Sequence, residues 1–180
     1  MQRVRDGDVA RMAVLFERHH RALFGFFARL TSSRDLSEDL VQDVFFRMLK
    51  YRHTYQDSSQ FTAWMYQIAR NVHADSLQKR RLEVVPLDDP DQARPEPAGS
   101  GPNAAEQLER RQDVRLLRRA LAALPPSQRE VLVLSRFQNL KYEQIAEILA
   151  CETGAVKVRV FRAVRALSRI FHELANERAS

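Results

Sequence analysis

Hydrophobic positions recur along the chain at steps of three and four residues, the spacing typical of amphipathic α-helices. From Gly154 to Leu174 this spacing predicts one helix with a continuous apolar stripe. The stripe consists of Val156, Val160, Ala163, Leu167, Ile170 and Leu174. The opposite face carries cations, and two apolar residues, Val158 and Phe161, lie among them. Burial of the apolar stripe explains the positions of its six residues. Val158 and Phe161 lie on the opposite face, so packing of the stripe gives them no role.

The same spacing predicts about four helices in the first half of the chain, three of them with clear bounds. These run from Val9 to Leu30, from Ser37 to Lys50 and from Phe61 to Arg81, with a polar loop from Tyr55 to Gln60. Ser37 is interpreted as the N-cap of the second helix, because serine side chains accept hydrogen bonds from exposed amides at helix starts. The predicted buried face of that helix consists of Leu40, Val41, Val44, Phe45 and Met48.

In the second half, helices are predicted from Ala105 to Leu124 and, after a Pro-Pro pair, from Ser127 to Phe137. A short helix from Tyr142 to Ala150 then precedes the sequence C-E-T-G and the long basic helix. A short helix, a turn with glycine and a longer basic helix form the pattern of a helix-turn-helix. Ile145, Ala146 and Leu149 are its predicted core, facing Val156 and Val160.

Between the halves lies a segment rich in proline, which lacks an amide donor and interrupts helices. It contains Pro86, Pro90, Pro95, Pro97 and Pro102, together with Gly99 and Gly101. The prediction is therefore an all-α chain of two small helical domains, residues 1–82 and 105–180, joined by a flexible linker, residues 83–104.

Charge follows the same division. Residues 1–82 carry 14 Lys and Arg against 9 Asp and Glu, residues 83–104 carry 1 against 5, and residues 105–180 carry 14 against 9. Two basic blocks on either side of an acidic spacer favour two contacts with a polyanion, although solvated basic faces would give the same totals. A single cysteine, Cys151, excludes an internal disulfide, and five scattered histidines give no metal-ligand spacing, so no metal and no cofactor is expected.

The basic face of the last helix suits a DNA major groove, where arginine and lysine read guanine and apolar groups contact thymine methyls. Its candidate residues for base edges are Lys157, Val158, Phe161 and Arg162, and its candidates for phosphates are Arg159, Arg165 and Arg169. In the alternative interpretation, Phe161 packs against a neighbouring helix or a protein partner. The turn and the surrounding cations favour DNA.

Two helix faces in the first half of the chain also suggest binding functions. Asp39, Gln42, Asp43 and Phe46 form an acidic face around an aromatic residue, which suits protein docking better than DNA; the alternative is a solvated face. The helix from Phe61 mixes aromatic residues with cations and an amide, a composition that suits unpaired bases. Alternatively Trp64, Ile68 and Val72 are simply core, and for Trp64 itself this interpretation is favoured.

Three segments in this order resemble the ECF (extracytoplasmic-function) sigma factors of bacterial RNA polymerase over about 150 of the 180 residues. SEDLVQDVFFRML resembles the part of region 2 that docks on the clamp helices of the largest polymerase subunit. FTAWMYQIARNVHADSLQKRR resembles the part that melts and reads the −10 element. LAALPPSQREVLVLSRFQNLKYEQIAEILACETGAVKVRVFRAVRAL resembles region 4, which reads the −35 element.

The resemblance implies residue roles. Docking on polymerase falls to Asp39, Gln42, Asp43 and Phe46. Binding of the −10 element falls to Tyr55, Gln60, Arg70, Asn71, Lys79 and Arg80, with Asn71 and the loop from Tyr55 to Gln60 holding a flipped base. Binding of the −35 element falls to Lys157, Val158, Arg159, Phe161, Arg162 and Arg165. The family often has threonine, serine and a cation where this chain has Ala155, Val158 and Val164, so its −35 preference is expected to be unusual.

The function implied is that of a DNA-reading subunit without enzymatic activity, which directs core polymerase to promoters. Expected partners are core RNA polymerase, through its clamp helices and the flap of its second-largest subunit, promoter DNA, and an anti-sigma factor that is often membrane-bound. The expected location is the cytoplasm, since no apolar run suits a signal peptide or a membrane span. The alternative is a stand-alone helix-turn-helix regulator, and a redox role for Cys151 stays open.

Overall fold

The computed structural model of the chain describes residues 1–56, 60–82 and 104–179, and every regular element in these ranges is helical. The predicted all-α fold is confirmed. The helices are α1 (Gln2–Arg5), α2 (Met12–Thr31), α3 (Arg34–Lys50), α4 (Phe61–Leu82), α5 (Ala104–Ala123), α6 (Pro126–Leu132), α7 (Tyr142–Leu149) and α8 (Thr153–Ala179). Short 3₁₀ turns occupy Val9–Arg11 and Arg52–Thr54, and a π-helical stretch, Val133–Phe137, continues α6. Residues 83–103 of the predicted linker and the loop residues 57–59 lie outside the described residues, whereas Ala104, the last residue of the predicted linker, begins α5.

Helices α2, α3 and α4 pack together through apolar stripes that follow from their helical spacing. All five residues predicted for the buried face of α3 are buried. Trp64 belongs to the core, which is the interpretation that the sequence favoured. Several of the aromatic contacts here are edge-on, among them the contact between Tyr55 and Trp64, whose ring centroids lie 5.3 Å apart. Phe16, which follows the apolar spacing of α2, instead lies at the surface.

The start of α3 differs from the prediction, which placed the N-cap at Ser37. The cap is Ser33, whose side chain accepts a hydrogen bond from the Leu36 amide at 3.4 Å. Ser37 is fully buried in the first turn, where its hydroxyl donates to the Ser33 carbonyl and lies 3.0 Å from Thr31 Oγ1. The prediction was wrong because both serines satisfy the local capping pattern, and only the path of the chain after α2 decides between them.

The helix-turn-helix of the second half is formed by α7 and α8. Val156, Val160 and Ala163 are buried, and they pack with Ile145 and Ala146 as predicted. Ile148 is fully buried, whereas Leu149, the residue predicted for that place, is only half-buried.

The turn between α7 and α8 depends on an alanine and not on the predicted glycine. Ala150 has the left-handed angles φ 48° and ψ 52°, and the Cys151 amide donates to the Ala146 carbonyl across it at 3.0 Å. Gly154 lies inside the first turn of α8. The left-handed conformation costs an L-residue roughly 1–2 kcal/mol, so the sequence offers no signal for it at alanine.

One hydrophobic core runs through both halves of the described chain, from Leu23 and Phe26 in α2 to Val156 and Val160 in α8. The contacts between the halves are made mainly by α4 against α7 and by α2 against the π-helical stretch. The composition of the chain predicted two domains, but it gave no reason to expect them to pack on each other.

Replacing Ala150 by glycine is expected to raise the free energy of unfolding by about 0.5 kcal/mol, because relief of the left-handed strain exceeds the added entropy of the unfolded chain. Urea unfolding followed by circular dichroism at 222 nm measures the change. The control is Ala74→Gly at an exposed position inside α4, which should lower the free energy of unfolding by about 1 kcal/mol. An Ala150→Gly variant less stable than the parent would contradict the assigned turn.

Candidate nucleic-acid and protein interfaces

The outward face of α8 lies open to solvent. Val158 is 48% exposed and Phe161 is 62% exposed, so neither side chain packs into the fold, and Phe161 does not pack against a neighbouring helix. The cations around them, Lys157, Arg159, Arg162 and Arg165, are also exposed, and the Arg165 guanidinium lies 5.7 Å from the Phe161 ring centroid. The structure thus brings together all six residues predicted for the −35 element on the first turns of one helix.

Cys151 lies beside this face in the turn before α8. Its thiol is half-buried, and Arg159 Nη1 approaches its sulfur at 3.7 Å. The contact attaches an arginine from the second turn of α8 to the turn residue, which orients the guanidinium along the start of the helix.

The predicted protein-docking face is a ridge along α3. Asp39, Gln42, Asp43 and Phe46 are all exposed, with Phe46 at 65%, and their spacing places them on one side of the helix. The surface continues onto α2 through residues that the sequence did not single out. The Phe16 ring stacks on the His20 ring, and its centroid lies 4.9 Å from the centroid of the Phe45 ring. These rings form an aromatic surface beside the α3 ridge.

The residues predicted for the −10 element do not form one open surface. Tyr55 is buried, with its ring edge-on to Trp64, so it does not offer an open ring face to a base. Gln60 is exposed but accepts a hydrogen bond from Gln144 Nε2 at 2.8 Å. Asn71 is exposed.

Arg70 is the most constrained of these residues. Its Nε donates to Glu130 Oε1 at 2.8 Å, and its Nη1 donates to the Ile148 carbonyl at 2.7 Å. Both partners belong to the second half of the chain, and the ion pair is only about a quarter exposed. The Arg70 guanidinium is therefore held between α6 and α7.

The end of α4 carries the last two predicted −10 residues, Lys79, which is exposed, and Arg80, which is half-buried. One turn earlier, Asp75 accepts a hydrogen bond from Arg47 Nη1 of α3 at 2.6 Å. The pair fixes α4 against α3.

No sequence pattern indicated the groups that hold Arg70 or the groups around it. Tyr66, whose pKa is raised by burial, donates from Oη to Gln138 Oε1 at 2.7 Å. Burial lowers the pKa of His73; the nearby Glu130 opposes this and Arg129 adds to it. His73 therefore stays neutral at neutral pH. Glu130 lies 60 residues from Arg70 in sequence, and no local pattern reports a pair so distant.

Two further findings concern the described ranges only. They contain no group of three His, Cys, Asp or Glu residues close enough to hold a metal ion. None of their helices is long and apolar enough to span a membrane.

Comparison with known proteins gives two family matches, one in each half of the chain. Sigma-70 region 2 matches residues 15–83, and Sigma-70, region 4 matches residues 115–167. The RNA polymerase sigma factor CarQ of Myxococcus xanthus is 32% identical over 177 residues, 98% of each chain. The ECF RNA polymerase sigma factor EcfG of Rhodopseudomonas palustris is 34% identical over 151 residues, 84% of this chain and 80% of that one. The chain belongs to the ECF sigma factors of RNA polymerase. Like other sigma factors, it is a transcription initiation factor, which binds core RNA polymerase and directs promoter recognition.

Two solved structures resemble this ECF sigma factor over most of its length. The sigma factor RpoE of Bartonella quintana, in complex with the anti-sigma factor NepR, has a TM-score of 0.71 and 28% identity, covering 89% of this chain and 96% of that one. CnrH, in complex with the cytosolic domain of CnrY, has a TM-score of 0.70 over 96% and 94% of the two chains. At 22% identity, CnrH supports the fold alone.

Two neighbouring substitutions on α8 are expected to separate packing from recognition. Val160→Ala should lower the free energy of unfolding by about 1–3 kcal/mol, because Val160 is buried. Phe161→Ala should change it by less than about 0.5 kcal/mol, because most of that side chain lies in water. Chemical unfolding of both variants measures the difference. A Phe161→Ala variant as unstable as Val160→Ala would mean that the phenylalanine packs in the fold.

Proposed function

We propose that this sigma factor reads the −35 element with the outward face of α8, and the observation that carries this proposal is the exposed Val158–Phe161 pair among four cations. Apolar side chains there would contact thymine methyls and sugar edges, while Lys157 and Arg162 would read guanine O6 and N7. Arg159 and Arg165 would bind phosphates and fix the register of the helix in the groove. Val158 favours an apolar base edge over a hydrogen bond.

We infer that the −10 element is captured around Asn71 and the loop from Tyr55 to Gln60. The exposed amide of Asn71 supplies both a donor and an acceptor for the edge of a flipped base. Capture of that base would offset an unstacking cost of a few kcal/mol. The buried Tyr55 ring would hold the loop in place, while Gln60, Arg70, Lys79 and Arg80 would contact the strand beside the base.

Docking on core polymerase is assigned to the α3 ridge. Its carboxylates and amide surround the exposed Phe46, an arrangement in which one aromatic anchor is bordered by polar groups. The partner surface proposed for it is the clamp helices of the largest subunit, and the second half of the chain would bind the flap of the second-largest subunit. Holding both halves on one polymerase raises the effective concentration of each promoter contact.

Regulation and location follow from the same assignment. We propose control by an anti-sigma factor, since one similar structure, that of RpoE from Bartonella quintana, is a complex with the anti-sigma factor NepR. The chain is expected to work in the cytoplasm with the polymerase, and it is proposed to catalyse no reaction itself. A stand-alone regulator would account for α8, but it leaves the acidic ridge of α3 without a role.

Co-purification with bacterial core RNA polymerase, followed by run-off transcription from a pool of genomic fragments, tests the function. Stable binding and discrete start sites are expected, and they would also supply the promoter motif. Specific binding to duplex DNA by the protein alone, without binding to core, would favour the stand-alone regulator.

Reversing charge on the docking ridge with Asp39→Arg and Asp43→Arg is expected to weaken binding to core polymerase by about tenfold or more, because two like-charge contacts replace two favourable ones. Fluorescence anisotropy with labelled core measures the affinity. Glu173→Arg with Glu177→Arg is the matched control, an exposed acidic pair with the same spacing on α8. If the two double variants bind core polymerase with equal affinity, the docking site does not lie on α3.

Asn71→Ala is expected to leave binding to core unchanged and to reduce open-complex formation about three- to tenfold, the cost of one hydrogen bond to a captured base. Permanganate reactivity of unpaired thymines on a duplex promoter measures opening. Gln78→Ala, an exposed amide two turns later on α4, is the control. If the holoenzyme that carries Asn71→Ala opens the promoter as fully as the parent does, Asn71 does not capture a base.

A further inference from the structure

An open pocket, the α1 pocket, lies where α1, the 3₁₀ turn Val9–Arg11 and the start of α2 meet. Its volume is about 220 Å³, and three of the eight residues that line it are arginines: Arg3, Arg11 and Arg18. None of the eight is acidic. All three arginines are exposed, so a ligand in the pocket can reach them from solvent. The α1 pocket therefore concentrates positive charge in a concave site.

The backbone brings these arginines together through a tight turn at Gly7. Gly7 has a φ of 112°, a conformation that glycine adopts without steric cost. Across the turn the Asp8 amide donates to the Arg3 carbonyl at 2.8 Å, and the Gly7 amide donates to the Val4 carbonyl at 3.3 Å. The turn folds α1 back on the 3₁₀ turn Val9–Arg11, and Val4 is fully buried. The pocket is thus built on an ordered backbone before any ligand binds.

The positive charge of the pocket is only partly compensated. Arg11 Nε lies 3.3 Å from Asp8 Oδ2 in an exposed ion pair. In the part of the chain that the structure describes, Arg3 and Arg18 form no ion pair with a carboxylate. Guanidinium groups recognise phosphate oxygens through two parallel N–H donors. Two arginines without a carboxylate partner, facing one pocket, therefore favour a phosphate ligand.

The lining favours a compact phosphate ligand over a strand of nucleic acid. None of the eight residues is aromatic, so a base has no ring to stack on, in contrast to the exposed Phe161 of α8. The volume of about 220 Å³ is also smaller than the roughly 300–1,000 Å³ of pockets that hold drug-sized molecules. Val14 and Leu15, both half-buried, add apolar surface beside the cations, where charge interactions are screened less than in open water.

We propose that the α1 pocket binds a free polyphosphate anion of the pyrophosphate or triphosphate class. Arg3 and Arg18 would hold neighbouring phosphate groups, and Arg11 would exchange its ion pair with Asp8 for a phosphate oxygen. The lining shares no residue with the surfaces proposed for polymerase, the −10 element or the −35 element. The site therefore adds a small ligand to this sigma factor, and its existence does not depend on those assignments.

Isothermal titration calorimetry of the full chain with inorganic triphosphate tests the site, at about 0.15 M salt so that attraction between distant charges is screened. One binding site per chain is expected. Arg3→Gln with Arg18→Gln should lower the affinity by about tenfold or more, because two charge-assisted contacts are lost. Arg11→Gln should act in the same direction, and it tests the pocket separately if the double variant fails to fold.

The controls distinguish the pocket from the general attraction of a chain with a net charge of +6 for polyanions. Arg21→Gln removes an exposed arginine of α2 that does not line the pocket. Lys157→Gln with Arg162→Gln removes two exposed charges from α8. Both controls should bind triphosphate as the parent does. Absence of binding by the parent, or an equal loss of affinity in the α8 variant, would overturn the proposal.

A fluorescein-labelled single strand of DNA tests the alternative occupant. Its affinity for the Arg3→Gln, Arg18→Gln variant, measured by fluorescence anisotropy, should stay close to its affinity for the parent. A larger loss of affinity for the strand than for triphosphate would assign the α1 pocket to nucleic acid, and the proposal of a free polyphosphate would then be wrong.

Discussion

Each α-helix ends in carbonyl groups that have no donor inside the helix, and at the ends of α2, α5 and α7 side chains from other elements provide such donors. Arg129 serves α2 and α5 together, since it donates to the carbonyls of Leu30, Ala122 and Leu124. Arg70 and Gln67 serve α7. Because guanidinium groups also complement the negative end of the helix dipole, these contacts both satisfy hydrogen bonds and orient helices. The packing of the two halves depends on them.

The sequence predicted most of the helices because their stability comes from apolar stripes, and a stripe is a local pattern. The buried residues of α3 and the first turns of α8 illustrate this. Local patterns could not predict the cap at Ser33, since Ser37 fits the same rule, nor the left-handed Ala150, whose side chain disfavours that conformation. The Arg70–Glu130 pair depends on how two separately predictable halves meet, and no spacing within either half contains that information.

The candidate surfaces were predictable to different degrees for a related reason. On α8 and α3 each surface belongs to a single helix, so its residues follow from helical periodicity, and all of them are exposed. The proposed −10 surface combines α4, the preceding loop and a boundary between halves. The burial of Tyr55 and the engagement of Gln60 and Arg70 therefore depend on tertiary packing.

The continuous hydrophobic core has a consequence for cooperativity. Core residues of α2 and α4 belong to the same cluster as those of α6, α7 and α8, so heat or denaturant cannot expose one half without exposing part of the other. A closed chain of this kind should melt in a single transition, with calorimetric and van't Hoff enthalpies that agree. Once the halves are separated, each must keep its own smaller core, and the single transition should divide into two of lower enthalpy. The number of unfolding units is thus set by whether the halves touch.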